Sequence, residues 1–190
     1  FDGTATFNST NTTTFNQPIE ITNPSGIEFN DGTIQTTAAN SAHATVYRLA
    51  TSTGFNTTWS SVSFTGGSVN PKNISHSTSV NSERITADIA GTYLISYSIN
   101  AHNNDSNPHT TYSKVLKNGS TTLMNSGALN AKVNDYRFHI QQSFTAELAA
   151  SDYLELQIAT DTETTDIVPQ QQYLGDDSSS AHISIIRIGD

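Results

Sequence analysis

"ERITADIAGTYLISYSINAH", residues 83–102, holds the strictest alternation in the chain. Tyr93, Ile95, Tyr97 and Ile99 share one parity, while Leu94, Ser96, Ser98 and Asn100 hold the other. A period of two belongs to a strand with one buried face. Gly91 stands between Ile89 and Tyr93, where a turn or bulge would divide two strands.

The pattern extends in both directions. In "TTYSKVLKNGSTTLMNSG" (110–127), Asn118-Gly119 suits a type I′ turn between strands around Val115 and Thr122. In "DYRFHIQQSFTAEL" (135–148), Tyr136, Phe138, Ile140, Phe144 and Leu148 point inward, with Arg137, His139, Gln141 and Glu147 outward. After Ala149-Ala150-Ser151-Asp152 the alternation resumes at Leu154, Leu156 and Ile158. Upstream, "ATVYRLA" (44–50) and "SSVSFTGG" (60–67) read as further strands. The closing "HISIIRIG" (182–189) is apolar on both parities, Ile183 and Ile185 on one, Ile186 and Ile188 on the other. Either its second face meets a neighbouring subunit, or a bulge at Ile185-Ile186 returns both pairs to the core. So many strands without an amphipathic helix predict an all-β sandwich or barrel.

The order "ITADIAGTYLISYSI … YSKVLKNGS … FHIQQSFTAELAASDYLELQIA … AHISIIRIG" resembles the C1q/TNF-like jelly roll across residues 43–189. Gly91, Tyr93 and Tyr97 match that family's Gly-x-Tyr-x-Phe-x-Tyr strand, with Ile95 in place of the aromatic. Lys117-Asn118-Gly119 match a second motif, and Ser151-Asp152 stand where Gly-Asp is usual. The resemblance implies a ten-strand jelly-roll sandwich, a compact homotrimer, and Tyr93 in the core or near the axis.

The first forty residues read differently. Thr6-Phe7-Asn8, Thr14-Phe15-Asn16, Ile21-Thr22-Asn23 and Glu28-Phe29-Asn30 recur about seven or eight residues apart, each followed by turn residues. "NDGT" is the clearest turn, Gly32 beside Asp31. Ordering one residue's backbone costs about 1–2 kcal/mol, and one buried Phe or Ile returns about 1.5–3 kcal/mol. One apolar side chain per unit therefore cannot hold the segment alone. Three chains that pool Phe7, Phe15, Ile21, Phe29 and Ile34 on a common axis can, so residues 1–40 are expected to form an intertwined trimeric β-shaft before a head at 41–190. A disordered tail is the other reading. "FNDGTIQTTAA" resembles a recurrent stretch of bacteriophage tail fibres that closes a shaft before a distal head. Ile34 would be the last axial residue, with Thr36 to Ala39 small enough for close approach.

Composition narrows the partners. With 190 residues and a net charge of −9, the chain lacks the basic stripe that phosphate neutralisation requires, so nucleic acid is not an expected partner. No apolar run approaches the roughly 20 residues of a membrane span, so insertion is not expected. Cysteine is absent, which removes disulfides and thiolate metal sites. The chain begins at Phe1 and its one methionine is Met124, so it reads as a fragment or a processed product.

No zinc motif and no G-x-S-x-G elbow occurs. Asp161, Glu163, Asp166, Asp176 and Asp177 could supply the carboxylate pair of a glycosidase, but they lie in a polar segment without aromatics, and no catalytic activity is expected. No cofactor is expected either. Calcium is an open possibility: C1q-like heads often hold it, and "NAHNNDSNPH" (100–109) offers Asp105 beside Asn103 and Asn104, while "LGDDSSS" (174–180) offers Asp176 and Asp177. Neither has the spacing of a dedicated calcium loop, and solvated acidic loops are the plainer reading. His102 and His109 read as loop residues, and His139 lies opposite the core. Trp59, the single tryptophan, could stack on a sugar ring or fill a sandwich edge.

Loops 53–60, 100–111 and 161–180 are thus the expected ligand surface, with Trp59, Asn103, Asn104, Asp105, His109, Asp176 and Asp177 as candidates. The function expected is a non-catalytic receptor-binding or adhesion tip of a homotrimeric bacteriophage tail fibre, extracellular on the virion, that recognises a host-surface glycan or protein. A structural head that trimerises and caps a virion fibre, collar or decoration protein is the alternative. A depolymerase is a third class.

Overall fold

A computed structural model describes residues 27–28, 34–35, 41–68, 70–104, 106–129, 136–162, 165–169 and 178–189. The chain divides into two compact units, Phe1–Asn40 and Ser41–Asp190. In the first, β1 (Ile27–Glu28) pairs antiparallel with β2 (Ile34–Gln35), Glu28 opposite Ile34. Phe7, Phe15, Ile21 and Phe29 lie outside the described residues.

The second unit is organised around β8 (Gly91–Asn103), the strand of strict alternation. Tyr93, Ile95, Tyr97 and Ile99 are all buried, and Leu94 opens to solvent on the reverse face. On one side β8 pairs along its length with β11 (Tyr136–Leu148), and on the other with β14 (Ala181–Gly189). Outside β14 come β3 (His43–Arg48) and β5 (Gly66–Gly67). Beyond Ile99, the short β13 (Thr165–Ile167) continues along the β14 side of β8. We call this β11-β8-β14-β3-β5 layer sheet I.

Sheet II runs β10 (Thr121–Leu129), β9 (Thr110–Lys117), β12 (Tyr153–Thr160), β7 (Arg84–Ala87), β6 (Ile74–His76). The short β4 (Ser60–Ser61) extends the β7 side of β12. Each sheet's main path holds five strands, all antiparallel. Leu154, Leu156 and Ile158 of β12 face Ile95, Ile99, Ile183 and Ile185 of sheet I in one continuous core that also takes in Phe64 and Ile85. Polar ties cross the sandwich from Tyr97 Oη to Ser113 Oγ at 2.9 Å, both residues buried, and from Gln142 Nε2, which donates to Ser126 Oγ at 3.0 Å. A two-layer antiparallel sandwich is what half-buried alternating strands must build.

The turns follow their residues. Ser120 N donates to Lys117 O at 3.2 Å, and both central residues carry positive φ, Asn118 at 54° and Gly119 at 68°, as a type I′ turn requires. The β9–β10 connection spans three residues, because Ser120 stays outside the Lys117–Thr121 pairing. Gly91 begins β8, directly after the short connection that divides it from β7, as the expected break between two strands requires. In β14 the irregularity falls between Arg187 and Gly189, not at Ile185-Ile186. Ile183 and Ile185 are therefore buried, and Ile186 and Ile188 point out from sheet I with 49% and 57% of their surface exposed.

Strand direction fixes the two ends. Ile186 pairs with both His43 and Leu94, and Ala181 with both Arg48 and Ile99. Ser41, Gly91 and Gly189 accordingly sit at one end. The segments that follow Arg48, Asn103 and Thr160, and the one that precedes Ala181, gather at the other.

Candidate binding site

Three connections of sheet I and sheet II meet at that second end. Ser52 and Ile167 exchange backbone bonds at 2.8 and 2.9 Å, and Thr160 N donates to Asn56 O at 2.9 Å. Asp161 accepts from Thr110 N at 2.8 Å, and its other oxygen lies 3.1 Å from His109 Nδ1. Asn104 Nδ2 donates to Asp166, and Asn100 Nδ2 to Ser179 O at 2.6 Å. Arg48 steadies the first loop through the carbonyls of Ala50, Thr51 and Ser63. The described parts of the segments 53–60, 100–111 and 161–180 thus share one end, although not all of this is loop: β8 and β9 take both ends of the second and β13 lies within the third.

The individual candidates separate in this setting. Asn103 is fully buried and its amide donates to Asn107 O at 2.9 Å, so it shapes the loop from within. Asn104 is exposed beside Asp166, whereas His109 is half-buried beside Asp161. Asp105, Asp176 and Asp177 lie outside the described residues. His102 belongs to β8, opposite Asp166 and Arg137, rather than to a loop. Among the described residues no three His, Asp or Glu side chains gather as a metal site would need.

Trp59 leads into β4 at the edge of this end and is 39% exposed. Lys114 Nζ stands 4.2 Å from the centre of its ring, a cation–π contact. Tyr112, two residues before Lys114 and so on the same outward face of β9, is 44% exposed. Together with Asn125 and Ser126 of β10 they line a depression of about 340 Å³. Tyr112 and Asn125 were not legible as site residues: Tyr112 stands in a strand beside Val115 and Leu116, where an aromatic suggests core. Gly127 lies opposite Tyr112, and a Cβ there would stand 3.2 Å from Tyr112 Cδ1, so the missing side chain leaves the ring its place.

A second depression, of about 320 Å³, is lined by Ser75, His76, Asn81, Arg84 and Tyr153 among others. Arg84 lies 4.4 Å over the Tyr153 ring and donates to buried Glu155 at 3.1 Å, so its charge is already matched.

The outward face of sheet I has another character. A hydroxyl row crosses it through paired residues Ser143, Ser96, Ser184 and Thr45, with side-chain bonds of 2.8 Å between Ser96 and Ser143 and between Thr45 and Ser184. The adjoining row is Thr145, Leu94, Ile186, His43. His182 lies on this face, and burial pushes its imidazole below the usual value. Charged side chains on it include Glu147 toward one end and Arg137 and Asp166, which flank His102, toward the other.

Two five-stranded antiparallel sheets in these orders define a C1q/TNF-like jelly roll. Among solved structures, the crystal structure of murine APRIL at pH 5.0 matches with a TM-score of 0.50 and 8% identity, over 78% of this chain and 99% of that one. At that identity the likeness shows the fold alone. No protein-family profile and no curated protein matches the sequence.

Proposed function

We propose that the chain is the non-catalytic receptor-binding tip of a homotrimeric bacteriophage tail fibre, carried on the virion, whose head recognises a host-surface glycan or protein. The observation that carries this reading is the gathering of three polar loops at the end of the head remote from Ser41, the residue through which it continues from the preceding segment. Loops positioned by a rigid sandwich are where recognition usually resides. The stretch "FNDGTIQTTAA", similar to a shaft-closing stretch of tail fibres, supports the fibre context. The outward face of sheet I supports a trimer: Leu94 and Ile186 adjoin one another there, amid hydroxyls and without a central charge, as the middle of a subunit interface requires. Three copies would convert weak single contacts into firm adhesion through effective concentration.

Labelled chain incubated with a panel of bacteria tests the proposal. Saturable binding to intact cells of some strain, displaced by excess unlabelled chain, is the expected result. A trimer that binds no cell would favour the capping role instead, and release of reducing ends from cell-surface polysaccharide would overturn the non-catalytic reading.

A further inference from the structure

We propose that the depression beside Trp59 and Tyr112 is a carbohydrate subsite that seats one neutral pyranose ring. The inference rests on the adhesive reading above and narrows it, placing a sugar on the outer face of sheet II at the margin of the loop end.

Two large aromatic rings stand open, 39% and 44% exposed, on a surface made mainly of Ser, Thr and Asn. Both are held in place. Asn56 Oδ1 accepts from Thr58 N at 2.8 Å and closes the turn before Trp59, while Ser60 and Ser61 join β12 directly after it. Lys114 packs on the indole and fixes its orientation. Tyr112 is aligned over the bare backbone of Gly127. Rings fixed before binding lose little entropy on binding, which matters most for a weak ligand such as a single sugar.

The chemistry around the rings selects a class. An aromatic face carries negative quadrupolar charge, which attracts the polarised C–H bonds on one side of a pyranose. The Asn125 amide, on the outward face beside Tyr112, offers donor and acceptor together, as sugar hydroxyls require. The lining residues Trp59, Tyr112, Ser113, Asn125 and Ser126 include no carboxylate and no base, and Lys114 is engaged on the indole. A sialic acid, uronic acid or sugar phosphate would have to draw Lys114 off the indole to find a counter-charge, whereas a neutral ring leaves that contact intact. At about 340 Å³ the depression suits one ring rather than an oligosaccharide.

The chain has one tryptophan, so its emission reports on this site alone. The full chain is titrated with methyl β-galactoside, methyl β-glucoside and N-acetylglucosamine, with glycerol and a proline-rich peptide as controls. A saturable change with at least one pyranose, and none with either control, is expected. Tyr112→Ala keeps the reporter and should weaken that binding about tenfold, and Asn125→Ala should weaken it less, with melting temperatures unchanged. No response to any of the three sugars, a response to the peptide alone, or a Tyr112→Ala titration like the parent's would overturn the subsite. Cell adhesion measured in parallel keeps the two ideas apart. Adhesion unchanged in Tyr112→Ala sinks the subsite and leaves the adhesive reading standing, whereas sugar binding without adhesion to any cell does the reverse.

Discussion

Asn118 and Asp152 meet at 2.7 Å, the amide of one donating to the carboxylate of the other. Asn118 Oδ1 also accepts from Tyr153 N at 3.0 Å, and Asp152 accepts from Ala149 N at 2.8 Å. Two short motifs that in sequence look independent, Lys117-Asn118-Gly119 and Ser151-Asp152, are therefore one clasp that locks the β9–β10 turn to the turn before β12.

The clasp makes stability depend on acid pH. The Asn118 amide first, then the Ala149 amide and Lys117, hold the Asp152 carboxyl below the usual carboxylate range. The unfolded chain consequently takes up this proton before the folded one. The contribution is complete above the ordinary carboxylate pKa of about 3.9 and disappears as pH falls through the lower folded value. Asp152→Ala should cost about 1–3 kcal/mol at neutral pH. In urea melts the difference from the parent should shrink as the acid range is entered; a constant gap would argue against the clasp.

Ser151 occupies a left-handed backbone position, φ 73°, where a glycine would be unstrained. Ser151→Gly should therefore raise the melting temperature by about 2–4 °C. Scanning calorimetry of the two proteins decides it, and a lower value would mean that the serine does something its backbone angle does not reveal.

Burial pushes the phenols of Tyr93 and Tyr97 above their ordinary value, opposed in Tyr97 by its bond to Ser113 and in Tyr93 by Arg187. Their neutral forms stabilise the fold fully below the unfolded pKa of about 10, and that contribution is lost as pH rises through the folded values. Ultraviolet titration of tyrosinate should show a late group of phenols that ionise only with unfolding. Tyr97→Phe should remove one of them, at a cost of about 1 kcal/mol.

Leu94 and Ile186 are cross-strand partners on the outward face of sheet I. If that face joins subunits, Leu94→Asp with Ile186→Asp should reduce the mass found by light scattering to that of one chain while the circular dichroism of the strands persists. An unchanged mass would remove this face from the interface, and a parent already of single-chain mass would remove the trimer.

Much of the sandwich was legible because its central strands bury one strict face: Tyr93 to Ile99, Phe138 to Leu148 and Leu154 to Ile158 all lie where parity puts them. Parity failed where the core becomes polar. Thr111, Ser113 and Thr160 point inward near the loop end, and Ser113 there satisfies Tyr97. With hydroxyls inside, β9 shows its one aromatic, Tyr112, to solvent, the reverse of what hydrophobicity suggests. Asn103 misled for the same reason, a loop-like amide that is fully enclosed. Pairing between distant segments, such as Ser52 with Ile167, leaves no local trace at all, so the assembly of the loop end could be read only in three dimensions.

The placement of Ser41 and the loops at opposite ends of the sandwich has a mechanical consequence. A pull applied between them runs along the strands, so the β3–β14 and β14–β8 hydrogen bonds are loaded side by side in shear instead of being unzipped one after another. Such a head would resist tension far better than the same strands hauled apart crosswise.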